Sequence, residues 1–399
     1  MMNRKLIITK ENHIVWSAVF EDEEIAEIHC TEWETAESTI SLGDIYIGKV
    51  KNIVNNIGAA FVEIADGVEC YYALDENPKP IFTLKQGKKS LCVGDELLVQ
   101  VSKEAVKSKV PTVNSNLNFP GKYAILTSGD TRIGVSAKIN KVEKERLQTI
   151  ANTYLSNDYG FIIRTNANEI SEDVLRQEME RLIQKYEALT EIAKTRVRFS
   201  CLSSAPKPYL TELRNIYQEG LTDIIVEDTV IYEEIQEYLA TEQPEDLDKL
   251  RLYDDKMLPL SKLYSLEKHI SDALKERVWL KSGAYLVIQP TEALTVIDVN
   301  TGKCVSKKKD DGTYFKINLE AAKEAAKQIR LRNLSGIIIV DFINLSESSH
   351  TEELLEVFRQ ELRKDSVATT LVDITKLQLV EVTRKKIRKP LHESIGGLK

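Results

Sequence analysis

"LTVIDVNTGKC", residues 294–304, starts like a buried β-strand and then places Asp298 and Asn300 where further apolar side chains would be expected. A later stretch, "GIIIVDFINL" at residues 336–345, repeats the pattern, because a run of β-branched residues leads directly into Asp341. Removing a charge from water is costly unless a partner compensates it. Each aspartate therefore has either a partner or a function.

The segment between these stretches, "NLEAAKEAAKQIRLRNLSG" at residues 318–336, predicts a helix. Asn318 is a typical N-cap residue, and Gly336 is typical of the position at which a helix stops. Apolar residues recur at helical spacing, namely Leu319, Ala322, Ala326 and Ile329. The order strand, helix, strand allows the two strands to lie side by side in one sheet.

Two carboxylates at matching heights on neighbouring strands, which lie about 4.8 Å apart, can bind one cation. Magnesium fits this arrangement, since it prefers oxygen ligands and is usually held by one or two carboxylates plus substrate phosphates. Asn300 lies two residues beyond Asp298, on the same face of an extended strand, and its amide could orient the carboxylate. The alternative is that Asp298 and Asp341 cap helices or pair with lysine and arginine, and their spacing alone does not decide between the two.

Length and cysteine usage indicate a soluble, cytoplasmic protein of several domains. A chain of 399 residues predicts about two to four domains. Its five cysteines are odd in number and scattered, which favours reduced thiols, and the absence of a Cys-x-x-Cys motif predicts no zinc site within this chain. No segment approaches the roughly 20 apolar residues that a membrane span needs, and the N-terminal apolar stretch is too short for a signal peptide.

Missing motifs argue against several enzyme classes. The five histidines form no motif-spaced pair, which disfavours a zinc protease, and no glycine-rich phosphate loop supports nucleoside triphosphate hydrolysis. We expect each histidine to be an ordinary surface or core residue.

Charge is distributed unevenly along the chain. The total, 54 basic against 62 acidic residues, by itself argues against a nucleic-acid partner. Basic residues nevertheless cluster at residues 303–309, at residues 383–390 ("TRKKIRKP"), and along the predicted helix at Lys323, Lys327, Arg330 and Arg332. The clusters flanking the acid pair favour a polyanionic substrate, and the alternative is that they form solvated faces.

The first half of the chain is rich in predicted strands. Residues 43–76 and 93–105 contain short strands separated by glycine and asparagine turns, which is typical of a small closed barrel. Phe61, Tyr71 and Tyr72 could stack on bases at its surface, although aromatic residues in a barrel are more often part of the core.

A long amphipathic helix is predicted from Glu172 to about Lys194, with Ser171 as its N-cap. Its apolar stripe consists of Leu175, Met179, Leu182, Tyr186 and Leu189. We expect the stripe to pack on its own domain, and the alternative is a short coiled-coil contact.

Taken together, these residues resemble the ribonuclease E/G family of bacterial endoribonucleases. "GDIYIGKV" and "AAFVEI", within residues 43–64, are similar to the family's S1 domain, and "FIIRTNA" at residues 161–167 is similar to its sensor of RNA 5′ ends. The long motif from "TEALTVIDVNTGK" to "GIIIVDFI", residues 291–343, is similar to its catalytic core.

The resemblance implies an α/β multidomain fold. An RNase H-like scaffold would be formed by residues 1–40 and 206–282. An S1 (OB-fold) β-barrel, residues 41–121, and a 5′-sensor subdomain, residues 122–205, would be inserted into it. A DNase I-like α/β catalytic subdomain, residues 283–399, would follow.

The resemblance also implies the site residues. Asp298 and Asp341 correspond to the ligands of one magnesium ion, and Asn300 corresponds to the residue that supports the first ligand; these three form the catalytic set. Arg164 and Thr165 fall in the pocket that reads a 5′-monophosphate, where a guanidinium group and a hydroxyl are chemically suited.

Three further residues, Phe61, Tyr71 and Lys109, correspond to positions that contact single-stranded RNA. The implied function is a magnesium-dependent, single-strand-specific endoribonuclease that leaves 5′-phosphate and 3′-hydroxyl ends. It would be stimulated by a 5′-monophosphate and would act in rRNA processing and mRNA decay. One alternative is a catalytically weak or inactive RNA-binding protein that uses the barrel and the sensor; another is a DNA-directed phosphodiesterase.

The sequence departs from the family pattern at two places. Members commonly carry a Cys-Pro-x-Cys zinc link after the catalytic segment, whereas this chain reads "KPLHESIGGLK" there. We therefore expect a compact, ribonuclease G-like form that is either a homodimer without a zinc link or a monomer. Ala137 and Lys138 stand where the family usually has two arginines, which is expected to weaken RNA binding.

Overall fold

A computed structural model describes residues 3–33, 40–83, 90–105, 109–216, 220–302 and 311–396. The chain divides into two units. The split unit consists of Met1–Glu34 and Asn215–Lys399, and the inserted unit consists of Thr35–Arg214. Each unit has its own sheets and its own core.

The described residues form strands in both units. They are β1 (Arg4–Glu11), β2 (Ile14–Glu21), β3 (Glu24–Glu32), β4 (Ile45–Val54), β5 (Ala59–Ala65), β6 (Val68–Ala73), β7 (Ile81–Phe82), β8 (Glu96–Lys103), β9 (Thr112–Asn114), β10 (Asn118–Pro120), β11 (Ala124–Thr127), β12 (Ile133–Val135), β13 (Gly160–Ile163), β14 (Cys201–Ser203), β15 (Leu221–Val226), β16 (Leu250–Leu252), β17 (Arg277–Trp279), β18 (Tyr285–Pro290), β19 (Leu294–Asn300), β20 (Gly336–Asp341), β21 (Thr369–Ile374) and β22 (Leu379–Arg384).

The helices of the same residues are α1 (Lys141–Asn152), α2 (Glu172–Ala193), α3 (Pro208–Asn215), α4 (Thr229–Glu242), α5 (Leu260–Leu263), α6 (Leu266–Ala273), α7 (Asp311–Leu331), α8 (Ser348–Arg363) and α9 (Leu391–Gly396). Short 3₁₀ turns occur at Asn55–Ile57, Thr165–Ala167 and Pro244–Lys249. In the described part of the chain, no helix combines the length and the apolar character that crossing a membrane requires.

The split unit contains two sheets. The first has the order β16-β15-β1-β2-β3, in which β1 pairs in parallel with β15 and antiparallel with β2. Strands that precede the inserted unit in the chain therefore share one sheet with strands that follow it. The second, a six-stranded sheet, has the order β17-β18-β19-β20-β22-β21.

The predicted strand, helix, strand arrangement around the acid pair is confirmed, because β19 and β20 are adjacent and parallel in the six-stranded sheet. The connecting helix α7 packs its alanine-rich face on this sheet, burying Ala321, Ala322, Ala325 and Ala326. Small side chains on a helix face leave room for the helix to lie close to the sheet, where Ile297 and Ile338 are also fully buried.

The predicted ends of this helix are wrong. α7 already includes Asp311, so Asn318 lies inside the helix and is fully buried rather than capping it. At the other end the helix stops at Leu331, and Asn333 adopts the left-handed conformation, with φ of 49°. Gly336 begins the next strand instead.

The inserted unit contains the predicted barrel. Strands β4, β5, β6, β9 and β8 pair in succession, and a pairing between β4 and β8 closes the cylinder, so the prediction of a small closed, OB-like barrel is confirmed. Val62, Cys70 and Val99 belong to its buried core.

The second sheet of the inserted unit has the order β10-β11-β13-β12 and packs against α1 and α2. The side chain of Ser171 accepts a hydrogen bond from the Val174 N–H, which confirms the predicted N-cap of α2. The apolar stripe of α2 is buried or half-buried within the core of this unit, so it packs on its own domain as expected.

Candidate active site

Asp298 and Asp341 lie on the same face of the six-stranded sheet. They are register partners in the parallel pair β19–β20. Along β19 burial alternates, so that Ile297 and Val299 face the buried core under α7 while Asp298 and Asn300 lie half-buried on the opposite face. The alternation of an extended strand therefore places both carboxylates together on the face that α7 does not cover.

Hydrogen bonding and charge distinguish the two carboxylates. Asn300 Nδ2 donates a 2.6 Å hydrogen bond to Asp298 Oδ2, which holds that carboxylate in one orientation. Burial and the negative charge of Asp298 both raise the pKa of Asp341 above its ordinary value. Neither aspartate caps a helix or forms an ion pair with a residue of the described ranges, so the alternative structural roles have no support there.

These features fit a hard divalent cation. Two carboxylates that repel one another, and that have no described counter-cation, would be stabilised by an ion between them. Because Asp341 is exposed and Asp298 half-buried, the position leaves room for the waters and substrate phosphate that magnesium normally keeps. Asp298 and Asp341 are therefore the residues that could hold magnesium here, with Asn300 orienting the first.

Asn318 fixes the chain that follows Asp341. Its Nδ2 donates to the Ile343 carbonyl at 2.7 Å, and its Oδ1 accepts from the Ile343 N–H at 3.1 Å. Asn318 was predicted from the sequence to be a helix cap, and this contact was not predicted. The available signal was a polar side chain on the same helical face as the buried alanines.

A second polar cluster joins the start of α7 to the start of α8. Asp311 Oδ1 accepts hydrogen bonds from the backbone N–H and the hydroxyl of Ser346, at 2.5 and 2.8 Å. His350 Nδ1 lies 2.6 Å from Asp311 Oδ2, and the His350 ring stacks on Phe315 with centroids 4.3 Å apart. With Glu347 these groups place three ligand-type atoms within 4.8 Å of one another, although the hydrogen bonds between Asp311 and its neighbours already explain the arrangement.

Two of the four helical basic residues that were predicted to flank the acid pair form ion pairs elsewhere. Lys327 forms an ion pair with Glu24 at 2.6 Å, and Arg330 forms one with Glu21 at 3.4 Å, so both charges are paired with residues of β2 and β3. For these two residues, this corrects the prediction that the helical basic cluster flanks the acid pair. The cluster at residues 303–309 falls outside the described residues.

In the inserted unit, Arg164 and Thr165 follow β13 directly. Arg164 donates from Nη1 to the Gly121 carbonyl at 2.6 Å, and its backbone N–H donates to the Tyr123 carbonyl at 2.7 Å. The Thr165 and Ser136 hydroxyls are hydrogen-bonded at 2.9 Å. The half-buried Arg164 is directly followed by Thr165, whose hydroxyl is paired with that of Ser136, and these donors are a chemically suitable set for a phosphate.

Glu178 of α2 holds the loop that supports Arg164. Its buried carboxylate accepts hydrogen bonds from three successive backbone N–H groups, those of Lys122, Tyr123 and Ala124, at 2.9, 2.7 and 2.7 Å. Burial raises the pKa of Glu178, and these donors oppose that rise. A Cβ at Gly121 would lie 2.5 Å from Glu178 Oε1, so glycine is required there. Nothing in the sequence alone indicated this role for a glutamate on a helix.

On the barrel, Phe61 and Tyr71 are cross-strand partners, with ring centroids 6.4 Å apart and both rings half-buried. Lys109 is exposed. Tyr72 belongs to the barrel core instead, where its hydroxyl is hydrogen-bonded to Ser115 at 3.0 Å and burial raises its pKa to about 12. Of the two interpretations considered for Tyr72, the core position is therefore correct.

Known proteins match most of the chain. The sequence model of the ribonuclease E/G family matches residues 118–387. Ribonuclease G of Salmonella typhimurium is 34% identical over 359 residues, which cover 87% of this chain and 73% of that protein. Ribonuclease G of Escherichia coli is 33% identical over 362 residues, covering 88% and 74%. Ribonuclease E of Synechocystis is 32% identical over 398 residues, covering 98% and 58%.

Proposed function

Because the chain belongs to the ribonuclease E/G family and is an endoribonuclease, we propose that it hydrolyses single-stranded RNA with magnesium held between Asp298 and Asp341. The observation that carries the proposal is the register of these two carboxylates, which are partners on adjacent parallel strands and have no described counter-cation. Products with 5′-phosphate and 3′-hydroxyl ends are part of the same proposal.

Each residue of the site has a separate task. Asp298 and Asp341 would hold the cation, and the hydrogen bond from Asn300 fixes the orientation of the Asp298 carboxylate. Asn318 fixes Ile343 and thereby the end of the strand that carries Asp341. When bound, magnesium supplies Lewis-acid chemistry, since it makes a water more acidic and offsets the charge that develops on the phosphate.

Substrate binding is assigned to the inserted unit. We propose that Arg164 and Thr165 bind a 5′-monophosphate and so stimulate cleavage of RNA that carries one. The hydroxyl pair of Thr165 and Ser136 supports this assignment, because hydroxyl and guanidinium donors suit a phosphate. Phe61, Tyr71 and Lys109 would contact the single strand through ring stacking and charge.

The cellular role and the assembly belong to the same proposal. The protein would process rRNA precursors and degrade mRNA in the cytoplasm. It would act as a homodimer without a zinc link or as a monomer. Residues 1–40 and 206–282 would form an RNase H-like scaffold, with residues 41–121 as the S1 barrel and residues 122–205 as the sensor. Residues 283–399 would be the DNase I-like catalytic part.

The test is cleavage of a fluorescent A/U-rich RNA with a 5′-monophosphate, in the presence of magnesium. Asp298→Asn and Asp341→Asn should each slow cutting by at least about a hundredfold, the scale expected when metal-dependent charge stabilisation is lost. Asp373→Asn is the matched control, because Asp373 is an exposed aspartate on β21 of the same sheet. This control should cut at the rate of the unmodified chain.

Two results would contradict the proposal. Cutting by both aspartate variants at the unmodified rate would show that the acid pair does not hold the catalytic ion. RNA binding without cutting by the unmodified chain would favour the alternative of an inactive RNA-binding protein.

A further inference from the structure

The face of the six-stranded sheet that carries the acid pair also carries an aromatic cluster that has no role in holding the cation. Arg277 and Trp279 belong to the edge strand β17, and Tyr285 belongs to the neighbouring strand β18. Trp279 is 57% exposed, which is unusual for the largest apolar side chain. We call these three residues the aromatic platform.

Strand register connects the platform to the acid pair. Trp279 is the partner of Tyr285, which is the partner of Asn300. Partner residues of neighbouring strands project from the same face of a sheet. The first row across this face therefore runs from Trp279 through Tyr285 to Asn300.

A second row runs parallel to the first. Arg277 is the partner of Val287, Val287 is the partner of Asp298, and Asp298 is the partner of Asp341. Strand β17 lies two strands from β19, a distance of about 10 Å at the usual spacing. A nucleotide on the platform would thus be beside the bond cleaved at the acid pair.

Contacts within the platform leave a ring face and a positive charge available. The Trp279 and Tyr285 rings are 5.1 Å apart and tilted by 56°, so they do not cover one another as parallel rings would. Arg277 Cζ lies 4.4 Å from the Tyr285 ring centre and 5.8 Å from that of Trp279. Within the described ranges, Arg277 forms no ion pair with a carboxylate.

The simplest alternative is that these side chains only cover the edge of the sheet. Val278, which lies between Arg277 and Trp279, already covers this edge, because it packs against the buried core on the other face of the sheet. Trp279 remains largely in water and adds little to that core. An exposed indole, a phenol and a guanidinium group with no carboxylate partner among the described residues instead match the chemistry of a single-stranded nucleotide, whose base stacks and whose phosphate is anionic.

We propose that Trp279, Tyr285 and Arg277 form a nucleotide-binding subsite, in which a base next to the cleaved bond stacks on Trp279 and Arg277 binds an adjacent phosphate. This inference rests on the proposed function, since it places the bond that is cut at Asp298 and Asp341. The subsite accepts any base, because stacking uses the ring face that all bases share.

The first test compares Trp279 variants on RNA with one defined cleavage position. Trp279→Ala should lower kcat/KM by about tenfold, within the range observed when a stacked base loses its aromatic partner. Trp279→Phe should restore most of the rate because it keeps a ring. Trp279→Leu, which keeps the apolar bulk without a ring, should behave like alanine.

The second test identifies the nucleotide. A series of RNAs, each with one abasic nucleotide at a different position around the cleaved bond, is cut by the unmodified chain and by Trp279→Ala. The substitution should lose its effect on one RNA only, the RNA that lacks the base stacked on Trp279, and that position should be next to the cleaved bond. Arg277→Gln should reduce the dependence of binding on salt by about one phosphate contact.

Several outcomes overturn the subsite. These are an unchanged kcat/KM for Trp279→Ala, equal rescue by leucine and phenylalanine, and the same loss on every abasic RNA. The last would indicate a structural effect of the substitution.

Binding measurements separate this proposal from the proposed function. Fluorescence anisotropy of labelled RNA is measured with the Trp279 variants in the Asp298→Asn background, where no cutting is expected. A position-dependent loss of affinity supports the subsite even if the unmodified chain proves unable to cut RNA. Normal cutting with no effect of Trp279→Ala on either rate or affinity overturns the subsite while the proposed function stands.

Discussion

Asn300 and Asp298 are joined by a 2.6 Å hydrogen bond between side chains two residues apart on one strand. The bond uses one oxygen of the carboxylate and fixes its plane, which leaves the rest of the group free to face Asp341 across the strand pair. The orientation of the first acid is therefore set by the chain before any ion binds.

This relationship predicts that Asn300→Ala lowers the affinity for magnesium while it changes the free energy of unfolding little. Loss of a residue that orients a metal ligand typically costs about 10- to 100-fold in metal affinity or activity. We expect the magnesium concentration for half-maximal cleavage to rise by about that factor, and high magnesium to restore part of the rate. A magnesium titration of the cleavage rate measures this. An unchanged half-maximal concentration would contradict the role of Asn300.

Arg164→Ala should abolish the preference for RNA with a 5′-monophosphate. The unmodified chain should cut such RNA faster than the same RNA with a 5′-hydroxyl, and the variant should cut both at the slower rate. Arg132→Ala is the matched control, since Arg132 is an exposed arginine of the same unit that pairs with Asp130 at 2.6 Å. If the Arg164 variant still distinguishes the two RNA ends, the assignment of the sensor is wrong.

Asn318→Leu should destabilise the split unit. The substitution leaves the N–H and carbonyl of Ile343 without their partner. An unsatisfied buried polar group costs about 1–3 kcal/mol, and because Ile343 is half-buried we expect a loss near the lower end, about 1 kcal/mol. Denaturant unfolding followed by circular dichroism measures the change in the free energy of unfolding. Lys323→Ala, an exposed change on the same helix, should leave that free energy nearly unchanged. Equal stability of the two variants would show that the Asn318 contact carries no net stabilisation.

The Asp311–His350 contact predicts a pH dependence of stability. The hydrogen bond with Asp311 raises the pKa of His350, and hydrogen bonds from Ser346 and His350 lower the pKa of Asp311 to about 2. The stabilisation of the folded state by His350 is complete below its unfolded-state pKa of about 6.5. It is lost as the pH rises through the higher folded-state pKa. The contribution of Asp311 is lost only as the pH falls toward 2.

The measurement is Tm against pH for the unmodified chain and for Asp311→Asn. The unmodified chain should lose Tm relative to the variant as the pH is raised through the pKa of His350. Parallel curves for the two proteins over this range would show that the pair does not contribute through charge.

The sequence predicted the elements that have a strong local pattern. The β-branched run before Asp341 and the alternation before Asp298 indicated adjacent strands, and Ser171 marked the start of α2 correctly. The barrel was predictable because its turns carry glycine and asparagine at regular intervals.

Other features depend on contacts between distant residues. The start of α7 was placed too late because Gly312 and Thr313 are weak helix formers, and packing on the sheet compensates for them. Alternation shows that Tyr71 and Tyr72 project from opposite faces of a strand, but it does not show which face is the core. The ion pairs of Lys327 and Arg330 join α7 to strands near the N-terminus, so no local pattern could indicate them.

The parallel pairing of β1 with β15 has a consequence for biosynthesis. Ile8 is the partner of Val226, so the first strands leave the ribosome long before the strand that completes their sheet. The inserted barrel is synthesised in between, and its strands β4 to β9 lie in one continuous stretch of chain, which favours their folding before the C-terminal part is made. Asp298 and Asp341 are synthesised later still. A chain released from the ribosome before Asp341 therefore carries the barrel but lacks the complete acid pair.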